Sequence, residues 1–145
     1  MNSHLQISRR PEYEATIRIL REAELPTEDL STSHLEHFSY AGPAQEPTGL
    51  VGLEIFGDVA LLRSLVVVPN RRGSGDGLRL LSHAEEHAKA AGVRELYLLT
   101  TTAEIFFAKC GFVRASRDSA PPAIRATREF AGICPASSAF MSKPL

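Results

Sequence analysis

Val67-Val68-Pro69-Asn70-Arg71-Arg72-Gly73-Ser74-Gly75-Asp76-Gly77-Leu78 is the stretch whose reading decides the fold. An apolar run stops at Pro69, and a helical pattern begins at about Gly77. Glycines at 73, 75 and 77 let backbone N–H groups converge without obstruction from Cβ atoms. The unpaired N–H groups of the helix that follows, with the positive end of its dipole, attract an anion. Arg71 and Arg72 add charge suited to phosphate. Pyrophosphate is the ligand such a turn fits; the plain alternative is a flexible loop. A dinucleotide fingerprint requires its third glycine where Leu78 stands. A P-loop requires a Lys that is missing after these glycines.

Working outward, Ala60 to Val68 is nearly all apolar, as expected of a central strand covered on both faces. Leu50–Phe56 and the strand from Val59 form a hairpin about Gly57-Asp58. Upstream lie a weak strand over His4–Ser8, a helix over 11–24 opened by Pro11, and a strand at Phe38–Ala41. Thr27-Glu28-Asp29-Leu30 reads as the cap of a short helix reaching His37.

Downstream, the pattern predicts a helix from Gly77 to Ala91 with Gly92 as its C-cap. A strand Glu95–Thr100, a helix Thr102–Lys109 and a strand Phe112–Arg117 follow. A short helix reaching Glu129 and a last strand at Ala139–Lys143 complete the order. Hairpins mixed with helical crossovers indicate an α+β (mixed α/β) class, in one layered domain over 1–145.

Composition narrows the function classes. The chain has 145 residues, 43% apolar and 23% charged, with a formal charge of −1. That balance carries no basic nucleic-acid footprint. The apolar runs are too short for a membrane span, and the N-terminal residues lack the apolar core of a secretory signal. Two cysteines, Cys110 and Cys134, make no disulfide framework, so a cytoplasmic setting is expected. Cys110, next to the Gly111 helix stop, reads as a buried small hydrophobe, and neither it nor Cys134, which precedes Pro135, is expected to be a catalytic thiol.

Arg72-x-x-Gly75-x-Gly77, preceded by Val67-Val68-Pro69, resembles the signature of the GNAT N-acetyltransferases. Phe106-Phe107-Ala108-Lys109-Cys110-Gly111-Phe112 is similar to that family's later helix-to-strand motif. The resemblance covers about residues 38–117. It implies a mostly antiparallel central sheet flanked by helices, with a splayed central strand, and acetyl-CoA as co-substrate with no metal. Arg71, Arg72, Gly73, Ser74, Gly75, Asp76, Gly77 and Leu78 would hold the CoA pyrophosphate. Backbone groups of Leu65 and Val67 would meet the pantetheine and thioester, with Thr102 and Phe107 lining the other side. The family's usual acid, a Tyr, would fall at Phe107, which has no hydroxyl.

Acetyl transfer needs a base to free the amine of its proton. Glu54, in the apolar run Leu53-Glu54-Ile55-Phe56, is the candidate; a solvated outer position is its other reading. Arg63, a charge inside the central strand, needs an anionic partner. Either a cross-strand pair with Glu54 or an acidic acceptor supplies it.

The segment 121–145, with Leu61–Val67 and Leu98–Ala103, is similar to the N-acetyltransferases of arsenic-resistance operons. That resemblance implies an acceptor such as a phosphinothricin-like or arsenic-containing amino acid, in a detoxifying role. Arg63 and Arg125, with Thr127 and Ser137, are then the candidate readers of its oxyanions. Arg125 also fits a solvated helix face.

His83-Ala84-Glu85-Glu86-His87 matches a zinc-protease pattern. With an apolar stripe of Leu78, Leu81, Ala84 and Ala88, both histidines are expected to face solvent, without a third ligand. The leading reading is an N-acetyltransferase for a small amine or amino acid. Acetylation of protein N-termini or lysines is the alternative within the class. A non-catalytic acyl-CoA sensor is the alternative outside it. A homodimer is compatible with either enzyme reading.

Overall fold

The computed structural model describes residues 5–145; His4, at the start of the expected first strand, lies outside them. The strands are β1 (Ile7–Arg9), β2 (Phe38–Ala41), β3 (Gly49–Phe56), β4 (Val59–Val67), β5 (Glu95–Thr100), β6 (Val113–Arg114) and β7 (Ala139–Pro144). Among the described residues they form one seven-stranded sheet in the order β1-β2-β3-β4-β5-β7-β6. Only β4 and β5 run parallel; the other neighbours are antiparallel. The fold is the mixed α/β class expected, with the apolar strand at its centre.

The helices are α1 (Tyr13–Glu22), α2 (Asp76–Ala90), α3 (Glu104–Lys109) and α4 (Pro122–Arg125). Side chains alternate across β4, so both faces must be covered. Ala60 and Leu62 pack with Leu80, Leu81, Ala84 and Ala88 of α2. Val66 and Leu50 pack with Ile19 and Leu20 of α1, and Leu61 packs with Ile124 of α4. Leu80 takes the place expected of Leu78, which is 54% exposed.

Three local expectations change. Instead of a helix from Thr27 to His37, there are turns and one 3₁₀ turn, His34–His37. Leu30 N–H bonds to Thr27 O, so the backbone closes a turn that does not propagate. The strand expected over Phe112–Arg117 shortens to two residues at the sheet edge. The helix expected to reach Glu129 stops at Arg125, and a wide π turn, Glu129–Ile133, follows.

Gly52 shows how tightly β3 is packed. A Cβ there would lie 2.3 Å from Cζ of Phe38, a ring with no solvent exposure. Gly52→Ala is therefore expected to cost about 2 kcal/mol by overpacking, read as a lower denaturation midpoint with an unchanged slope.

Candidate functional site

The site starts from a failure of strand pairing. β4 pairs with β5 only from Val59 to Leu61. β5 stays paired with β7 along its whole length, Glu95 to Thr100. The two central strands therefore diverge beyond Leu61, and a cleft of about 730 Å³ opens between them. Opposite it, β4 carries a bulge: Gly52 faces Arg63 but Leu50 faces Val66, leaving one extra residue on β4. Ser64 sits in that bulge at φ 61°, a left-handed conformation uncommon outside glycine.

The pairing fixes which backbone groups face the cleft. Val68 N–H donates to Thr48 O at 2.9 Å, on the β3 side. In an extended strand the alternate residues, Val67 and Leu65, turn their N–H and C=O groups to the opposite edge. β5 is absent there, so these groups need another partner. Arg72 Nε fills one, donating to Val67 O at 3.2 Å.

The glycine-rich turn closes one end of the cleft. A 3₁₀ turn, Pro69–Arg71, leads into Gly73 (φ 81°) and Gly75 (φ 91°), the latter just before α2. Both need the left-handed region that glycine reaches without strain. Gly77 has ordinary φ, and a Cβ there would meet nothing nearer than Phe106 Cζ at 3.8 Å. The space over it is therefore open to a ligand. Arg72, Gly77, Leu65, Val67, Thr102 and Phe107 line the cleft.

Asp76 and Leu78 do something else. Asp76 is 1% exposed and accepts from Arg71 Nε at 2.9 Å and Nη2 at 3.2 Å. Arg71 holds the Asp76 carboxyl below the ordinary carboxylate range, against the opposing effect of burial. This pair braces the turn from inside, and Leu78 points to solvent.

At the other end, Arg63 is 3% exposed and binds three carboxylates. Its Nη1 lies 2.5 Å from Asp29 Oδ2 and 2.8 Å from Glu54 Oε2; its Nη2 lies 2.9 Å from Glu129 Oε2. The expected Arg63–Glu54 pair is present within a larger cluster. Arg63 is therefore not a free reader of an acidic acceptor. Asp29 and Glu54 also bring ligand atoms within 4.8 Å of His34, but Arg63 already holds their oxygens.

Among the cluster's carboxylates, Glu129 alone lines the cleft. Burial pushes its carboxyl up to about 7; Arg63 opposes the rise, while Asp29 and Glu54 add to it. Beside it, burial first and Glu129 second push the Cys134 thiol up to about 12, so Cys134 is no thiolate nucleophile. Glu54 does not line the cleft.

The sequence reading placed Glu129 at the end of a short helix and gave it no role. Its burial depends on tertiary anchors. Thr127 Oγ1 donates to Ile124 O at 2.7 Å and accepts from Phe130 N–H at 3.3 Å, tying α4 to the π turn. Phe130 packs edge-on against Phe140 of β7, with centroids 5.3 Å apart. Thr127 is thus a buried positioning group outside the cleft. Arg125 is exposed and donates to Ala120 O and Asp118 O, so it braces its own loop. Ser137 is exposed, whereas Ser138 lines the cleft at 5% exposure. Ser138 Oγ is buried without a hydrogen-bond partner among the described residues. Its carbonyl is held by Arg117 Nη2 at 3.0 Å.

The histidines of α2 do not face open solvent. His87 Nε2 lies 3.2 Å from His37 Nδ1, and His83 Nε2 is buried without a partner among the described residues. Burial, then nearby Arg9, lowers both imidazoles below their ordinary value. The 3₁₀ turn His34–His37, which the sequence placed in a helix, covers that side of α2.

Residues 35–114 match the family model for the acetyltransferase (GNAT) domain. An amino-acid acetyltransferase of Neisseria meningitidis is 30% identical over 77% of this chain, which spans only 27% of that relative. The structure superposes on N-acetylglutamate synthase from Neisseria gonorrhoeae, complexed with coenzyme A and N-acetyl-glutamate, at a TM-score of 0.81. That match has 25% identity and covers all of this chain and 36% of the other. PaiA N-acetyltransferase from Thermoplasma acidophilum, in complex with coenzyme A, matches in fold over 99% of this chain and 100% of the other (TM-score 0.69, 19% identity). No helix among the described residues is long and apolar enough to cross a membrane. With more than half its length matched by the family model, the chain belongs to the GNAT acetyltransferase family.

Proposed function

We propose that this chain transfers the acetyl group of acetyl-CoA to the amine of an amino acid. The observation that carries this is the cleft itself. It joins a glycine turn at a helix N-terminus, unpaired backbone groups of a splayed strand and a buried carboxyl near neutrality in one continuous space. The relatives named as amino-acid acetyltransferases support the acceptor class.

The turn from Arg72 to Gly77 and the backbone of Leu65 and Val67 would hold the CoA moiety. Acetyl-CoA supplies an activated thioester. Glu129 takes the proton of the acceptor ammonium, and the freed amine attacks the thioester carbon. A C–N bond forms and the C–S bond breaks; the second proton shed by the acetylated nitrogen ends on the departing thiolate, which leaves as the coenzyme A thiol. Ser138, whose buried Oγ has no hydrogen-bond partner among the described residues, lines the cleft with Ser64, Thr100, Thr101 and Thr102 as its hydroxyl-bearing residues. Phe107, where the family's Tyr is expected, contributes only an apolar wall.

A phosphinothricin-like or arsenic-containing acceptor requires a cation for its second oxyanion. Arg63 and Arg125 are both engaged internally, so support extends to the amino-acid class and that acceptor becomes one arm of the test. Acetylation of a protein lysine or N-terminus is a second reading, favoured by the acidic residues Glu24 and Glu28 at the cleft.

The test is thiol release from acetyl-CoA with a panel of free amino acids and a lysine peptide. Acceptor-dependent release with free amino acids is expected. Acetyl-CoA at 100 times its Kd should also stabilise the fold by about 2.7 kcal/mol. Stabilisation without release from any amine would leave the sensor reading standing instead.

A further inference from the structure

We infer that the acceptor is a small amine carrying a second cationic group, as in a basic amino acid, and not an acidic one such as glutamate. This rests on the acetyltransferase reading and narrows its substrate.

The argument is one of charge balance. The charged residues lining the cleft are Glu24, Glu28, Arg63, Arg72 and Glu129. Arg72 belongs to the phosphate end, where its Nε is bonded to Val67 O. Arg63 is the cation of the opposite end, and three carboxylates already surround it. One positive charge against Asp29, Glu54 and Glu129 leaves that end negative even with Glu129 protonated. Glu24 and Glu28 add exposed carboxylates on the loop after α1. Arg128, the cation near that loop, reaches only Glu28 O, at 3.5 Å, and does not line the cleft.

An anionic acceptor side chain would therefore meet like charge with no unengaged cation at that end among the described residues, a juxtaposition that disfavours its binding. A second ammonium or guanidinium meets the opposite field. One further observation bears on this end: Ser138 lies in the cleft lining and its Oγ is buried without a hydrogen-bond partner among the described residues.

The experiment measures kcat/KM with acetyl-CoA for ornithine, lysine, glutamate, phosphinothricin and a lysine-containing peptide. Ornithine or lysine is expected to exceed glutamate and phosphinothricin by 30-fold or more. Glu28→Gln and Glu24→Gln are each expected to raise KM for ornithine several-fold, with kcat changing less. Glutamate or phosphinothricin at or above ornithine overturns the inference and leaves the acetyltransferase reading intact. A peptide preferred more than tenfold over ornithine overturns the small-molecule acceptor. Thiol release with none of the five overturns the transfer reading, and this inference with it.

Discussion

Glu129→Gln is expected to lower kcat/KM at least about 100-fold at pH 7.5, the low end of what a positioned general base contributes. The amide keeps the shape of the side chain and can still accept from Arg63 Nη2, 2.9 Å away in the native structure. It cannot take a proton, so KM for acetyl-CoA should hardly move while kcat falls. The native enzyme should show kcat/KM rising with pH through about 7, where Glu129 ionises, and the variant should lose that limb. A loss of this size in Glu54→Gln, with Glu129→Gln nearly active, would return the base role to Glu54.

The same residue makes a stability prediction of opposite sign. The folded carboxyl titrates near 7 and the unfolded one near its ordinary 4.5. Between those values the native state holds the extra proton, so its contribution is full below the unfolded value and declines as pH rises through 7. The slope is at most about 1.4 kcal/mol per pH unit for one proton. Glu129→Gln, neutral throughout, should therefore be at least as stable as the native protein at pH 8 and should flatten this part of the pH–stability curve. A base that harms the fold but is needed for turnover has the profile of a functional group.

The parts of this design legible in sequence are those with a local cause. The turn at 67–78 declares itself because glycines at 73 and 75 answer to backbone conformation, and an apolar strand precedes it. The order of long strands and helices followed from hydrophobic period and from the Gly and Pro residues that bound each run. The acceptor end was much less legible. Asp29 lies in a turn, Glu54 on β3, Arg63 on β4 and Glu129 in a π turn; only the fold brings the four together. No spacing rule connects residues 29, 54, 63 and 129. The visible clues were Arg63 and Glu54, each inside an apolar strand; they pointed to one pair and not to Asp29 and Glu129 as well. Arg125 had the right chemistry, but its guanidinium is used by the carbonyls of its own loop.

Arg63→Met should destabilise the fold by about 3–5 kcal/mol at pH 8. Methionine fills much of the arginine stem's volume, so the loss is chiefly electrostatic. Removing the guanidinium leaves Asp29, Glu54 and Glu129 close together, with side-chain exposures of 4%, 13% and 6%. Asp29 shows what is lost: burial works to raise its carboxyl, yet the hydrogen bond and charge of Arg63 hold it below the ordinary value. A depressed carboxyl stabilises the fold above its unfolded value and loses that contribution only as pH falls through the folded one. In Arg63→Met the sign reverses, because the uncompensated carboxyls titrate upward. Stability should then recover as pH is lowered from 8 to 5 by more than the native protein gains from Glu129 alone. Adding Asp29→Asn and Glu54→Gln to Arg63→Met should restore a large part of the loss at pH 8, since coupling within one cluster is not additive. Urea unfolding of the native, single and triple variants at the two pH values decides the matter. An Arg63→Met protein within 1 kcal/mol of native at pH 8 would mean that solvent already screens the cluster, and the charge balance assigned to the acceptor end would fall with it.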